Sequence, residues 1–283
     1  MSRARRWGFT LVEMLVAIVI LGLVAASLNK IFNAQQRLAV AQVEQASVQA
    51  TVRNASTIAS TELWELSTSP AGVSDIVNFD ATGLSYRAMR TLGLACQVSA
   101  NEVRLRDSFL SQYRSIIPGQ DALLIFVERN PQQSSDDSWL QLQITSVSNG
   151  SSCGGSGAVR LGVSTIDSAS LAGIITDAPI RTFEIMELRP VTVGTQTWLG
   201  ARSVSGGEAA LQPVAGPVNA NGIRFTYLDS LGTVTTQADR IRSIRISLLG
   251  ESDRAARRLQ SNAVELVQDS LSTTITLRNT PRP

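Results

Sequence analysis

Apolar residues run almost unbroken from Phe9 to Leu28, and Glu13 is the only charge among them. A helix of about 20 residues rises about 30 Å, the thickness of a bilayer's hydrocarbon core, and satisfies its own backbone hydrogen bonds there. Beyond it the pattern becomes amphipathic. Ile31, Leu38, Val43, Ala46, Val52, Ala55, Ile58, Leu63 and Leu66 recur among Gln, Arg, Glu and Ser. This spacing predicts that the same helix continues to about Leu66 with one face inward. The cluster Ser67-Thr-Ser-Pro70-Ala-Gly72 stops it.

The rest reads mainly as β-structure. Tyr86–Ala95 is the exception and predicts a short helix with Met89 and Leu92 inward. Period-two alternation predicts strands at 102–106 (Val103 and Leu105 inward), 139–147, 182–188, 222–228, 240–249 and 272–278. The continuous run Leu123-Leu-Ile-Phe-Val127 predicts a central strand, and Asp229 with Gly232 a turn between two strands. Asn130–Ser138, Asn149–Gly157 and Glu251–Arg258 read as loops. The fold class expected is α+β, a long N-terminal helix packed on an antiparallel β-sheet head. Its parts are a basic leader 1–8, an apolar segment 9–29, an amphipathic half 30–66 and a head 67–283.

Charge orients this plan. Arg3, Arg5 and Arg6 precede the apolar run and hold the leader on the cytoplasmic side. An ordinary secretory signal is cut after its apolar region. Here the candidate processing point, Gly8-Phe9, lies before it, and a cut there would leave the apolar segment on the mature chain. Losing the three leader arginines takes the formal charge from +2 to −1, which gives no basis for capture of nucleic acid.

Composition narrows the chemistry. The chain has no histidine, which removes Ser-His-Asp and Cys-His nucleophiles and histidine-ligated zinc. Lys30 is the only lysine and has no phosphate-binding glycine loop around it. No catalytic residue, cofactor or metal site is expected. Asp136 and Asp137 read as a solvated loop, and Gly154-Gly-Ser-Gly157 as a turn. Arg254, Arg257 and Arg258 read as a solvated face, and Trp64, Trp139 and Trp198 as core or interface anchors. Export puts Cys96 and Cys153 in an oxidising compartment. A bridge between them is expected, with two separate buried thiols as the alternative.

Glu13 is the anomaly. A charged carboxylate near the bilayer centre costs roughly 2.5–3.5 kcal/mol, and acids in such places are usually paired and functional. The alternative is a shorter span, Met14–Leu28, with Glu13 among the head groups.

The basic leader, Gly8, Phe9, Glu13 as fifth residue after the cut, and the apolar run together resemble the N-terminus of type IV pilins and pseudopilins. The resemblance implies cleavage after Gly8 by a prepilin peptidase, methylation of Phe9, and a Glu13 carboxylate that meets the N-terminal amine of a neighbouring subunit. It also implies partners: major and minor pilins and an inner-membrane assembly platform. The stretch Tyr86–Cys96 and the order Gly222–Asp229, Gly232, Ile241–Leu248, Leu271–Asn279 are similar, more loosely, to PilW-type minor pilins and GspJ-type pseudopilins of type II secretion. A head of more than 200 residues would crowd a thin filament, which favours a low-copy or tip subunit.

Overall fold

The computed structural model describes residues 10–68, 74–133, 136–257 and 263–278. Among the described residues one long helix, α1 (Leu11–Leu63), precedes twelve strands. These are β1 (Ile76–Asp80), β2 (Gly83–Ser99), β3 (Glu102–Arg106), β4 (Ser111–Gln112), β5 (Ala122–Val127), β6 (Ser138–Cys153), β7 (Ser156–Val163), β8 (Ala178–Val193), β9 (Gln196–Ser203), β10 (Gln212–Leu228), β11 (Ser243–Arg257) and β12 (Val264–Thr276). A short helix, α2 (Ser168–Ala172), lies between β7 and β8, capped by the Asp167 carboxylate, which accepts from the Ser170 N–H. The class is α+β, an apolar N-terminal helix followed by a large antiparallel sheet. The chain divides into two compact units, one of Met1–Val48 with Ser252–Gln268, the other of Gln49–Glu251 with Asp269–Pro283.

In the second unit α1 buries Val52, Ala55, Ala59 and Leu63, with Leu66 just beyond its end. Steps of three and four keep these residues on one face. The small side chains of Ala55 and Ala59 bring the helix close to the sheet. Ile31, Leu38, Val43 and Ala46 had been expected on that inward face, and all four are exposed. At about 100° per residue, Val43 and Ala46 fall on roughly the opposite side from the Val52–Leu66 stripe. The sequence pattern had joined two faces into one.

Two large clusters of buried side chains pack on the sheet, and Ala122, Leu124 and Phe183 form a third, smaller one. Along β1-β2-β8-β9-β10 and the neighbouring parts of β11 and β12 it is open, and one face packs against α1. Leu84 and Tyr86 of β2, Leu188 of β8, Phe225 and Tyr227 of β10, Ile244 and Ile246 of β11 and Ile275 of β12 fill that core. A second path closes on itself through β2-β3-β7-β6-β5-β8 and back to β2. The closure is visible at Ala95, which opposes Leu105 on one side and Ala178 on the other. Inward side chains fill this six-stranded barrel, among them Val103, Leu105, Leu123, Ile125, Leu142, Ile144, Leu161 and Ile180. Ile116 and Ile166 join them from the connecting segments. β2 and β8 are long enough, at 17 and 16 residues, to serve both cores.

Three further sequence expectations, all beyond α1, need correction. Tyr86–Ala95 is not a helix but the middle of β2. Its pairing with β8 from Leu84↔Leu188 to Ala95↔Ala178 overrides helix propensity, and Leu84, Tyr86 and Ala88 are buried in a two-residue repeat. Met89 is half-buried, and Leu92 points outward at 51% exposure. Asn149–Gly157 is not a loop but the tip of the β6–β7 hairpin, with a tight Gly154-Gly155 turn whose positive φ angles, 56° and 89°, suit glycine. Glu251–Arg257 continues β11. The strands expected at 102–106 and at 122–128 are β3 and β5, and β5 is buried along nearly its whole length.

Candidate functional site

α1 opens with a reciprocal cap. The Thr10 N–H and hydroxyl both donate to Glu13 Oε2 at 2.9 Å, and the Glu13 N–H donates to Thr10 Oγ1 at 3.3 Å. These bonds satisfy two N–H groups that a helix start otherwise leaves without partners. The Glu13 carboxylate also stands at the positive end of the helix dipole. Thr10-Leu-Val-Glu13 is a Ser/Thr-x-x-Glu start signal, whereas the sequence reading took Glu13 only as a lone charge.

Behind the cap, the helix shows its apolar side chains in every direction. Leu11 is 81% exposed, and Ile18, Leu21 and Leu23 are each 66% or more. The span is long and apolar enough to cross a membrane, with none of its most apolar window buried inside the chain. Its polar atoms are handled internally. The Ser27 hydroxyl donates to Leu23 O at 2.9 Å, and the Asn33 amide donates to Asn29 O. So large an apolar surface calls for lipid or other helices to cover it. Gly8 and Phe9, the expected cleavage and methylation residues, lie outside the described residues.

In the head, Cys96 on β2 and Cys153 at the tip of the β6–β7 hairpin are bonded, with Cα atoms 6.1 Å apart. The polar interior there is ion-paired. Glu184 of β8 receives Arg90, Gln120 Nε2 at 2.6 Å and the Ser203 hydroxyl at 2.8 Å. Burial alone would raise its pKa, but these donors hold it down at about 2. Arg114 grips Asp121 through two bonds of 2.7 and 2.8 Å and approaches Glu184 at 3.2 Å. Nothing in the alternation pattern foretold this network, because placing Phe183 and Ile185 inward sends Glu184 to the outside. In the structure Glu184 shares its face of β8 with Ile180 and Leu188, both buried in the main cores, while Phe183 and Ile185 belong to a smaller cluster on the other face.

A cavity of about 90 Å³ lies nearby, lined by Glu62, Asp75, Arg87, Arg90, Tyr113 and Arg181 among others. Burial raises the pKa of Asp75, and the Arg181 guanidinium opposes that rise. Asp75 Oδ2 accepts from Arg181 at 2.9 Å and from the Ser67 N–H at 2.8 Å. Asp75 therefore fastens the segment after α1 to β8. The residue is 2% exposed, which suits a structural tie better than substrate contact.

The remaining sequence candidates stay apart. Asp136 and Asp137 are half-buried, and among the described residues no group of three side chains of metal-ligating type comes together. Arg254 is exposed, and Arg258 lies outside the described residues. Trp139 lies between Arg181 and Phe126, Trp198 is half-buried, and Trp64 is 48% exposed beneath the Arg278 guanidinium. Many head arginines are paired, for instance Arg104 and Arg160 with Glu102, and Arg189 and Arg202 with Glu187.

Residues 4–29 match the family model of the prokaryotic N-terminal methylation motif. That match takes in Arg5 and Arg6 of the leader, Gly8-Phe9, Glu13 and the apolar run to Leu28, and it indicates a type IV pilin-like or pseudopilin-like precursor. No curated protein and no solved structure matches the chain.

Proposed function

We propose that the chain is a minor subunit of a type IV pilus-like filament. After cleavage behind Gly8 and methylation of Phe9, it waits as a single-pass protein of the bacterial inner membrane with its head in the periplasm. It then moves into the filament by packing its apolar helix among those of other pilins. The carrying observation is the bare apolar rod from Leu11 to Leu28, headed by one carboxylate. Helices in lipid gain no hydrophobic energy by meeting, so close packing and polar pairing decide their association. In this reading Glu13 exchanges its bonds to Thr10 for the amine of a neighbouring subunit. The work is structural, and no catalytic role is assigned. The size of the head supports low copy number, with placement at the tip.

The test is to shear filaments from cells and quantify the chain against the main subunit. A few copies per filament support the reading, and equal abundance contradicts the minor role. If the chain leaves the membrane only when a type II secretion machine is expressed, it is a GspJ-type pseudopilin. A DNA-uptake role draws no support from a head whose arginines are so widely neutralised.

A further inference from the structure

The two ends of the open sheet are built differently. β1 is a guarded edge: five residues long, bulged between Ile76 and Asn78, and closed by Asp80, which pairs with Arg189 at 2.8 Å. Short length, a bulge and a charge are devices that discourage further strand pairing. β12 has 13 residues, and among the described residues it pairs only with β11. Its stretch Ser270-Leu-Ser-Thr-Thr-Ile-Thr276 has neither a charge nor a proline and is rich in β-branched residues.

The backbone shows which groups face outward. The Leu277 N–H donates to Arg242 O, towards β11, whereas the Arg278 N–H donates to Trp64 O on the other side. The two-residue repeat of a strand then turns the N–H and C=O groups of Ser272, Thr274 and Thr276 to the open edge. A groove of about 450 Å³ accompanies that edge, walled by Ser60, Thr61 and Trp64 on one side and Thr273–Thr276 on the other. Its lining is uncharged. An extended backbone matches a row of alternating donors and acceptors at this spacing, and uncharged side chains suit this lining, with Arg278 over the Trp64 ring and Arg245 on Thr274 Oγ1 at its margins.

We propose that the β12 edge, at Ser272, Thr274 and Thr276, takes an extended, uncharged segment of a neighbouring subunit as a further strand of the sheet. The identity of the neighbour rests on the assembly reading; the strand-accepting edge does not. In this arrangement the helices set the register of subunits through the apolar rod, and β12 fixes which head lies beside which.

The test uses the full-length chain in cells, with a benzophenone amino acid in place of Thr276. Light should cross-link it to an extended segment of a neighbouring subunit, located by peptide mass spectrometry. Thr274→Pro removes an outward N–H and leaves the ladder to β11 intact, so the cross-link should fall at least about tenfold while the head stays folded. Thr274→Lys places a charge on the edge without changing the backbone and should act alike, which covers a proline variant that fails to fold. A cross-link unchanged in both variants overturns the proposal, as does one that lands on a helix or on β12 of a second copy. Filament incorporation scored on the same cells separates the two readings. A chain incorporated but not cross-linked loses only the strand pairing. A chain cross-linked in the membrane but absent from filaments loses only the filament role. A chain with neither loses both.

Discussion

Thr10 and Glu13 hold each other at the first turn of α1: the threonine N–H and hydroxyl donate to one carboxylate oxygen, and the Glu13 N–H donates back to the hydroxyl. The pair gives Glu13 two separable jobs, capping its own helix and carrying a negative charge. Substitutions can divide them. Thr10→Ala removes the cap, at a cost of about 0.5–2 kcal/mol in the first turn, and keeps the charge. Glu13→Gln keeps a side chain able to complete the cap and removes the charge. The account predicts near-normal filament incorporation for Thr10→Ala and a loss for Glu13→Gln, with the head folded in both. Shear fractionation with immunoblotting measures the first, and protease resistance of the head the second.

Glu184 should govern the acid limit of the head. Its folded pKa of about 2 lies below the ordinary glutamate value of 4.5. A depressed acid adds stability that is present above the unfolded pKa and lost as pH falls through the folded one. The window is therefore pH 4.5 down to about 2, and the contribution is on the order of 3 kcal/mol. Asp75 works with the opposite sign, since its folded pKa is raised and its ionisation with rising pH costs stability. Glu184→Gln should flatten the acid branch of a urea-unfolding series followed by tryptophan fluorescence, and lower stability at pH 7.

The bond between Cys96 and Cys153 spans 57 positions of chain. By the loop-entropy argument it stabilises the head by roughly 4 kcal/mol. A Cys96→Ser, Cys153→Ser double variant should melt at a clearly lower temperature. Its barrel interior is otherwise complete, so amides of β3, β5 and β7 should still show protection from exchange, by hydrogen–deuterium exchange, below the new midpoint.

Two cores imply two patterns of loosening. Leu63→Ala empties a fully buried site between α1 and the open sheet, and Leu123→Ala one inside the barrel. Each should cost about 2–5 kcal/mol. Hydrogen exchange should quicken around β10 and β11 for the first variant and around β3, β6 and β7 for the second. Identical patterns would mean that the head is a single cooperative core.

The sequence made the ends of this design easier to read than its middle. The apolar rod and Glu13 were legible because a long uninterrupted hydrophobic run has one physical meaning near a basic leader. Strands such as β3 and β5 were legible from alternation and from a wholly apolar run. The closure of six strands was not, because β2 and β8 join two cores and nothing local marks a strand that changes partners midway. Tyr86–Ala95 misled for the same reason: Arg87, Ala88, Met89 and Leu92 favour a helix until β8 claims the backbone. The Glu184 cluster stayed hidden because a charged residue on an alternating strand looks solvated until the covering strands are known. The Thr10–Glu13 cap does have a local signal, the Thr-x-x-Glu spacing, but Glu13 was expected only as a lone charge and no cap was foreseen.

The central claim is that the apolar rod is retained after the leader is removed. Mass spectrometry of the N-terminal peptide from membrane-extracted protein tests it most directly. The account predicts a chain that begins at a methylated Phe9 and runs on through Glu13 and Leu28. A chain that still begins at Met1, or one that begins beyond Leu28, would contradict it.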